Sequence, residues 1–319
     1  MIMTYIGIDI SKSWFDCFNS TTDTHHQYDN TVQGWNEFAG SLTDEAWAVM
    51  EASGPYYLGL AGFLADRKIP VSVLNPLVIR RYSQMRLSRT KTDAKDARLI
   101  AEYAAQQPLT RWNPPSSVNQ TMRQMISVCQ GLIRQRAMLL GQKEAFTNSP
   151  ATDPLVIDVI DEQIHRITSA LSTLEGRLRQ LIVTHYQHCF DAVTSIPGIG
   201  PKTAVLLICL TDGFSKFDDA RKLASYVGIC PRIFNSGSSI KGRGSICKLG
   251  SSQLRKLLYM CTWTAKKCNP GCKQMYDRMK QAGKPERVIK IALAHKLLRQ
   301  AYAVGTSGEH FTKEKALAA

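Results

Sequence analysis

The sequence predicts a chain in three parts: an α/β domain, a long antiparallel hairpin of two helices, and a basic, mainly helical domain. Three observations predict it. Short β-prone runs alternate with helical runs up to about residue 108, apolar residues then recur every three and four positions from 118 to 181, and the charge reverses along the 319 residues. Residues 1–79 carry 3 Lys and Arg against 9 Asp and Glu, whereas the remaining 240 carry 37 against 17. A hydrophobic content of 44% supports real cores and excludes a disordered chain.

In chain order, residues 3–10, 14–19 and 25–31 are β-prone and broken by the turn-rich "STTDT", which predicts a three-stranded meander. A helix follows from about Gly34. "EAWAVMEA" then predicts a buried strand, "YYLGLAGFLADRK" a helix and "IPVSVLN" another strand, the alternation of an α/β layer. Residues 92–106 read as a helix with Thr92 as its N-cap. The adjacent prolines of "QQPLTRWNPPSS" end the domain at about 108. Over 109–190, Val118, Met122, Met125, Cys129 and Leu132, then Ile160, Ile164, Ile167, Leu171, Leu174, Leu178 and Leu181, form a heptad seam on either side of the breaker "NSPATDP". Two helices of about 30 residues give a coiled-coil hairpin about 45 Å long. Such seams hold subunits together or space domains apart. The third part, 191–319, is helical and basic to its end.

No apolar run reaches the roughly 20 residues of a membrane span, and the N-terminus lacks a basic region followed by an apolar core, so the chain reads as cytoplasmic. Nine scattered cysteines fit reduced thiols better than disulfides. Neither Cys261, Cys268 and Cys272 nor "HYQHC" at 185–189 has the spacing of paired zinc knuckles. Residues 231–300 hold 16 basic side chains and 2 acidic ones, the balance expected of a surface that meets a polyanion. Nucleic acid is the obvious one.

Four acids come from three separated segments. Asp9 ends the first strand in "YIGIDI", Glu51 ends a later one in "AVMEAS", and Asp93 and Asp96 in "KTDAKDAR" are three apart, on one helix face. In an RNase H-like sheet the first and fourth strands are neighbours and a following helix lies across their ends. Carboxylates gathered there repel unless a divalent ion neutralises them, and hard oxygen donors select Mg²⁺ or Mn²⁺. From spacing alone, solvated helix charges paired with Lys95 and Arg98 explain Asp93 and Asp96 equally well. "GIDIS" also opens actin-like ATPases, but Lys12 and Ser13 replace their phosphate turn.

"PGIGPKTA" fits the turn of a helix-hairpin-helix, with Gly198, Gly200, Lys202 and Thr203 as phosphate contacts. Such binding is indifferent to sequence. "GICPRIFNSGSSIKGRGSICKLGSSQLRKLLYM" follows, in which glycines and serines alternate with Arg232, Lys241, Arg243 and Lys248 before a helix bearing Arg255 and Lys256. These six are the remaining candidate nucleic-acid contacts. On residue types alone Ser236 is a turn serine.

Taken in order, "YIGIDISK", "MEASGPY", "KTDAKDA", "IPGIGPKTA" and "YVGICPRIFNSG" with "KGRG" and "LRKLLYM" cover nearly the whole chain, and together they resemble the insertion-sequence transposases of the IS110 family, to which Piv-type DNA invertases are related. The resemblance implies a RuvC-like domain whose DEDD tetrad falls on Asp9, Glu51, Asp93 and Asp96. It also implies a transposase domain with a nucleophilic serine in a Pro-x4-Ser-Gly context, which Pro231 to Gly237 match, so that Ser236 takes the role and Ser238 and Ser239 stand close by. It further implies donor and target DNA as partners, a structured noncoding guide RNA, and assembly as a dimer or tetramer. The expectation is a DNA recombinase. Three alternatives remain at this level: a metal nuclease of Holliday-junction-resolvase type without a covalent step, a Piv-like DNA invertase, and a DNA-binding architectural protein whose acids are structural.

Overall fold

Strand β1 (Thr4–Ile10) opens the chain, followed by β2 (Trp14–Asn19), β3 (Thr24–Asp29), helix α1 (Val32–Gly40), β4 (Ala46–Glu51), α2 (Tyr57–Asp66), β5 (Val71–Leu74), α3 (Pro76–Met85) and α4 (Asp93–Gln106). The computed structural model describes residues 3–87, 92–232, 235–236, 240–241 and 245–313, the side chains of 235–236 and 240–241 excepted. Contacts divide the chain into two units, Met1–Pro114 and Pro115–Ala319.

The first unit is a mixed α/β layer built on one five-stranded sheet of order β3-β2-β1-β4-β5. The meander makes β1, β2 and β3 antiparallel, while β4 and β5 run parallel to β1 and to each other. Alternation assigns the two faces. Ile6, Ile8, Ile10, Phe15, Cys17, Ala48 and Met50 pack with Phe38 of α1 and Leu60 and Leu64 of α2. On the opposite face Tyr5, Trp47 and Val49 meet Ile79 of α3 and Ile100 and Ala104 of α4, and Phe18 meets Ala97 and Ala101.

Two boundaries differ from the sequence expectation. The third strand stops at Asp29 rather than residue 31, because Thr31 caps α1, its Oγ1 accepting from Gly34 N–H at 3.3 Å. Helix α3 adds an element that the sequence expectation does not include. Here Asn75 Oδ1 accepts the N–H of Leu77 at 2.9 Å with proline at the first helical position, so the pair starts a helix.

The second unit begins with α5 (Ser117–Thr147) and α6 (Pro154–Thr194). They pack along the predicted seam: Met122, Cys129, Leu171, Leu178 and Leu181 are buried, with Val118, Met125, Leu132, Ile167 and Leu174 beside them. Lys143 Nζ, near the turn, reaches Asp161 Oδ1 at 2.5 Å. Helix α6 is broken at Tyr186 (φ −139°, ψ 18°), whose hydroxyl donates to Asp212 Oδ1 at 2.7 Å. After this break come α7 (Pro201–Thr211) and α8 (Ala220–Val227), the two-residue strands β6 (Pro231–Arg232), β7 (Asn235–Ser236), β8 (Ile240–Lys241) and β9 (Ser245–Ile246), and helices α9 (Ser252–Cys268), α10 (Pro270–Gln281) and α11 (Glu286–Ser307). Their core includes Val193, Leu207, Leu223, Leu254, Leu258, Leu293 and Leu297. Among the described residues no helix is long and apolar enough to cross a membrane.

Candidate functional site

The acidic cluster starts from strand register. Parallel pairing sets Ile8 beside Met50, and one residue further along both strands stand Asp9 and Glu51. Gly7 and Asp9 are two apart and face the same side of the sheet. A Cβ at Gly7 would lie 2.1 Å from Ala97 O and 2.4 Å from Ala101 N, so only glycine lets the backbone of α4 come down on β1 at this point. The carboxyl half of α4 packs with Tyr5 and Trp47 near the start of these strands. Its amino-terminal turn, carrying Asp93 and Asp96, therefore lies toward the strand ends where Asp9 and Glu51 sit. Thr92 begins that turn as predicted, accepting the Lys95 N–H at 3.4 Å. Asp9, Glu51 and Asp96 are half-buried and Asp93 is exposed.

The backbones of the four acids are thus gathered at one end of one face, and their donor chemistry suits a hard divalent cation. Among the described residues, however, no three His, Cys, Asp or Glu side chains stand close enough to hold a single ion. Arg98 has partners of its own, Asp23 at 2.9 Å and Glu102 at 3.4 Å, with its guanidinium 4.8 Å over the Phe18 ring. Sequence reasoning missed Asp16. It stands on β2 directly opposite Asp9 of β1, is 4% exposed, and its Oδ1 lies 2.7 Å from His25 Nε2. The signal was available: a short connection between two antiparallel strands sets Asp9 and Asp16 opposite each other.

The turn between α6 and α7 has the predicted glycines, but they serve different ends. Gly198 has φ +107° and its missing Cβ would lie 2.7 Å from Ala265 Cβ, so packing against α9 already requires glycine there. Gly200 precedes Pro201 as the N-cap of α7 with open space around it. Lys202, the second helical residue, has an amide without an intrahelical partner, and its exposed ammonium reaches Glu175 Oε1 at 2.9 Å. Thr203 points inward, 4% exposed, its hydroxyl 3.3 Å from Cys261 Sγ. Its N–H is also used inside the fold, donating to Gly200 O at 3.0 Å.

Ser236 lies on β7, opposite Ile240 of β8. Outside this small ladder, β6 and β9 pair Pro231 with Ile246 and Arg232 with Ser245. The base of the segment is closed by Cys247 N–H donating to Cys230 O at 3.0 Å, with the two sulfurs 3.3 Å apart. All nine cysteines are free thiols. Burial is the first cause that raises the Cys230 pKa, with the neighbouring Cys247 adding to it. Arg232, Lys248 and Lys256 are exposed. Arg255 is half-buried and donates to Val227 O at 2.7 Å, fastening the end of α8 to α9. Side chains of Ser236 and Lys241, and Ser238, Ser239 and Arg243 entirely, lie outside the described residues.

Residues 6–146 match a DEDD family described as "Transposase", and residues 191–277 match the "Transposase IS116/IS110/IS902 family". The pilin gene-inverting protein of Moraxella bovis is 33% identical over 98% of this chain and 99% of its own length, and that of Moraxella lacunata 32% over the same shares. The transposase for insertion sequence element IS1328 of Yersinia enterocolitica is 25% identical, again over 98% and 99%. The first match spans all four candidate acids and the second spans Ser236 and the basic segment around it. The chain therefore belongs to the IS116/IS110/IS902 transposase family and is an enzyme of DNA recombination.

Proposed function

We propose that the chain cuts and rejoins DNA with two cooperating groups, the carboxylates Asp9, Glu51, Asp93 and Asp96 and the hydroxyl of Ser236. The observation that carries this reading is the placement of the α4 amino-terminal turn over the neighbouring ends of β1 and β4. The sheet order and the helix lying across it support an RNase H-like domain of RuvC type over residues 1–108. A coiled-coil hairpin over 109–190 and a transposase domain over 191–319, with a helix-hairpin-helix at 195–204, complete the division of labour.

With their side chains turned toward one another, the four carboxylates would hold Mg²⁺ or Mn²⁺, which when bound lowers the cost of charge on the attacking and leaving oxygens of a phosphodiester. A serine hydroxyl is a weak nucleophile at neutral pH and requires such help. Ser236 Oγ attacks phosphorus, losing its proton as the Oγ–P bond forms. The P–O bond to one deoxyribose breaks, and that oxygen leaves with the electron pair and takes up a proton. A hydroxyl of another strand then attacks the phosphoserine, restoring the serine and making the new diester. Because the phosphoserine keeps the diester's energy, no nucleotide hydrolysis is needed. Gly198, Gly200 and Lys202, together with Arg232, Lys241, Arg243, Lys248 and Lys256, position the strands by phosphate contact, while Thr203 acts by packing the turn against α9 and Arg255 by holding α8 to α9. In this reading a dimer or tetramer assembles in the cytoplasm on donor and target DNA, guided by a structured noncoding RNA as the family resemblance implies.

The test is a denaturing gel of labelled DNA incubated with protein and Mg²⁺, followed by peptide mapping. A protein–DNA adduct at Ser236 is expected, lost in Ser236→Ala. Persistence of the adduct in that variant moves the nucleophile elsewhere, with Ser238 and Ser239 next to examine. Cleavage without any adduct in the wild type favours water as nucleophile, as in a resolvase. A second reading concerns the product. Full-length similarity at 33% to a protein named for gene inversion, against 25% to a named transposase, favours inversion over insertion. Sequencing the products from a substrate that permits both outcomes decides between them.

A further inference from the structure

Helix α9 has one face that the core does not use. Ser252, Lys256, Met260, Trp263, Thr264 and Lys267 are all exposed, at spacings of four, four, three, one and three residues that bring them onto one stripe. Met260 is 55% and Trp263 50% exposed. The helix carries Arg255, Lys256, Lys266 and Lys267 and no acidic residue. An apolar plate flanked along the helix by lysines, about 16 Å from Lys256 to Lys267, is the composition of a single-strand nucleic-acid surface, in which bases stack on aromatic rings and ammonium groups meet phosphates.

The indole is also held in place. Lys290 of α11 is 5% exposed, and its ammonium sits 3.5 Å from the Trp263 ring centroid and 3.5 Å from Glu286 Oε1. Lys266 Nζ approaches the same ring to 5.3 Å and Glu286 to 3.2 Å. A buried ammonium needs such partners, so one face of the ring is committed to a cation–π contact. The bland role for Trp263 is a cover over Lys290. That role accounts for the inner face of the ring, but not for an exposed methionine one turn away and lysines on both sides.

We infer that Trp263, with Met260 beside it, is a stacking plate for unpaired DNA bases, and that Lys256 and Lys267 hold the adjoining phosphates. DNA is the occupant because strand exchange parts base pairs next to the points of cleavage, and the parted bases need a surface that reads no sequence. This rests on the chain's being a DNA recombinase, and not on the role of Ser236.

The experiment measures binding of the full chain to a fluorescein-labelled oligothymidylate, to a duplex of equal length and to oligouridylate, across a salt series. Trp263→Leu keeps apolar bulk over Lys290 and is checked for folding by circular dichroism beside Trp263→Ala. Both variants are expected to bind the single-stranded DNA roughly 5- to 140-fold more weakly, the worth of one base stack, with an unchanged salt slope and unchanged duplex affinity. Trp263→Phe, which keeps a ring, should recover most of the loss. Lys256→Ala and Lys267→Ala should each reduce the slope by about 0.7. Wild-type single-strand affinity in Trp263→Leu, an equal loss on duplex, a loss confined to the RNA, or no single-strand binding by the wild type overturns the inference. Ser236→Ala should bind the oligothymidylate normally, so failure of the serine chemistry and failure of the stacking plate give different results.

Discussion

Replacing Gly7 by alanine adds one methyl group to β1 at the point where α4 crosses it. That methyl would lie 2.1 Å from Ala97 O, 2.4 Å from Ala101 N and 2.9 Å from Ala101 Cβ. Two of these neighbours are backbone atoms of a helix, so no side chain can rotate away, and either strand or helix has to shift. Overpacking in cores costs typically about 1–3 kcal/mol, and contact with fixed backbone on a strand central to the sheet places this case near 3 kcal/mol or above. At an m-value of roughly 2 kcal/mol per molar urea, the unfolding midpoint of the first unit should drop by about 1.5 M. Four of the five tryptophans, Trp14, Trp35, Trp47 and Trp112, lie within residues 1–114, so fluorescence of the full chain follows this transition. Gly62, inside α2, is the control. A Cβ there meets nothing within 4 Å, and Gly62→Ala should stabilise by about 0.5–1 kcal/mol through helix propensity. Wild-type stability in Gly7→Ala would refute the close approach of α4 to β1, and with it the placement of Asp93 and Asp96 toward Asp9.

Asp9→Asn or Asp93→Asn should lower strand cleavage by roughly 10²–10³-fold or more while leaving DNA affinity and thermal stability near wild type, since removing one charge from a repelling group does not weaken the free protein. A cleavage time course with a parallel binding isotherm checks this, and full recombination by either variant excludes the carboxylate site. Binding of duplex DNA should fall about 10³-fold between 50 and 200 mM salt if about six phosphates are contacted, and the double substitution Arg232→Ala with Lys256→Ala should reduce the slope by about 2. A salt-independent affinity removes residues 231–300 from the interface.

Alternation by two and by seven was readable directly, because side-chain direction follows from backbone geometry before any partner is present. The run "YIGIDI" places Ile6, Ile8 and Ile10 on one face of a strand and Gly7 and Asp9 on the other, and the seam from Val118 to Leu181 appears in the packing of α5 against α6. The five motifs carried the family. Other facts depend on elements distant in sequence. That Gly7 is needed for the backbone of α4, and Gly198 for the backbone of α9, follows from contacts spanning some 90 and 67 residues, which no local pattern records. Thr203 and Arg255 look like phosphate ligands until Cys261 and the carbonyl of Val227 claim them. That Asn75-Pro76 starts a helix shows only in the bond from Leu77 N–H to the Asn75 side chain. That the exposed ring of Trp263 lies against a buried lysine is decided by α11, which brings Lys290 within 3.5 Å of it. The family was legible in the sequence alone, because residue type and spacing are local; only tertiary structure decided which of the candidate groups remain available, because each hydrogen bond or packing contact made inside the fold is one that a ligand cannot use.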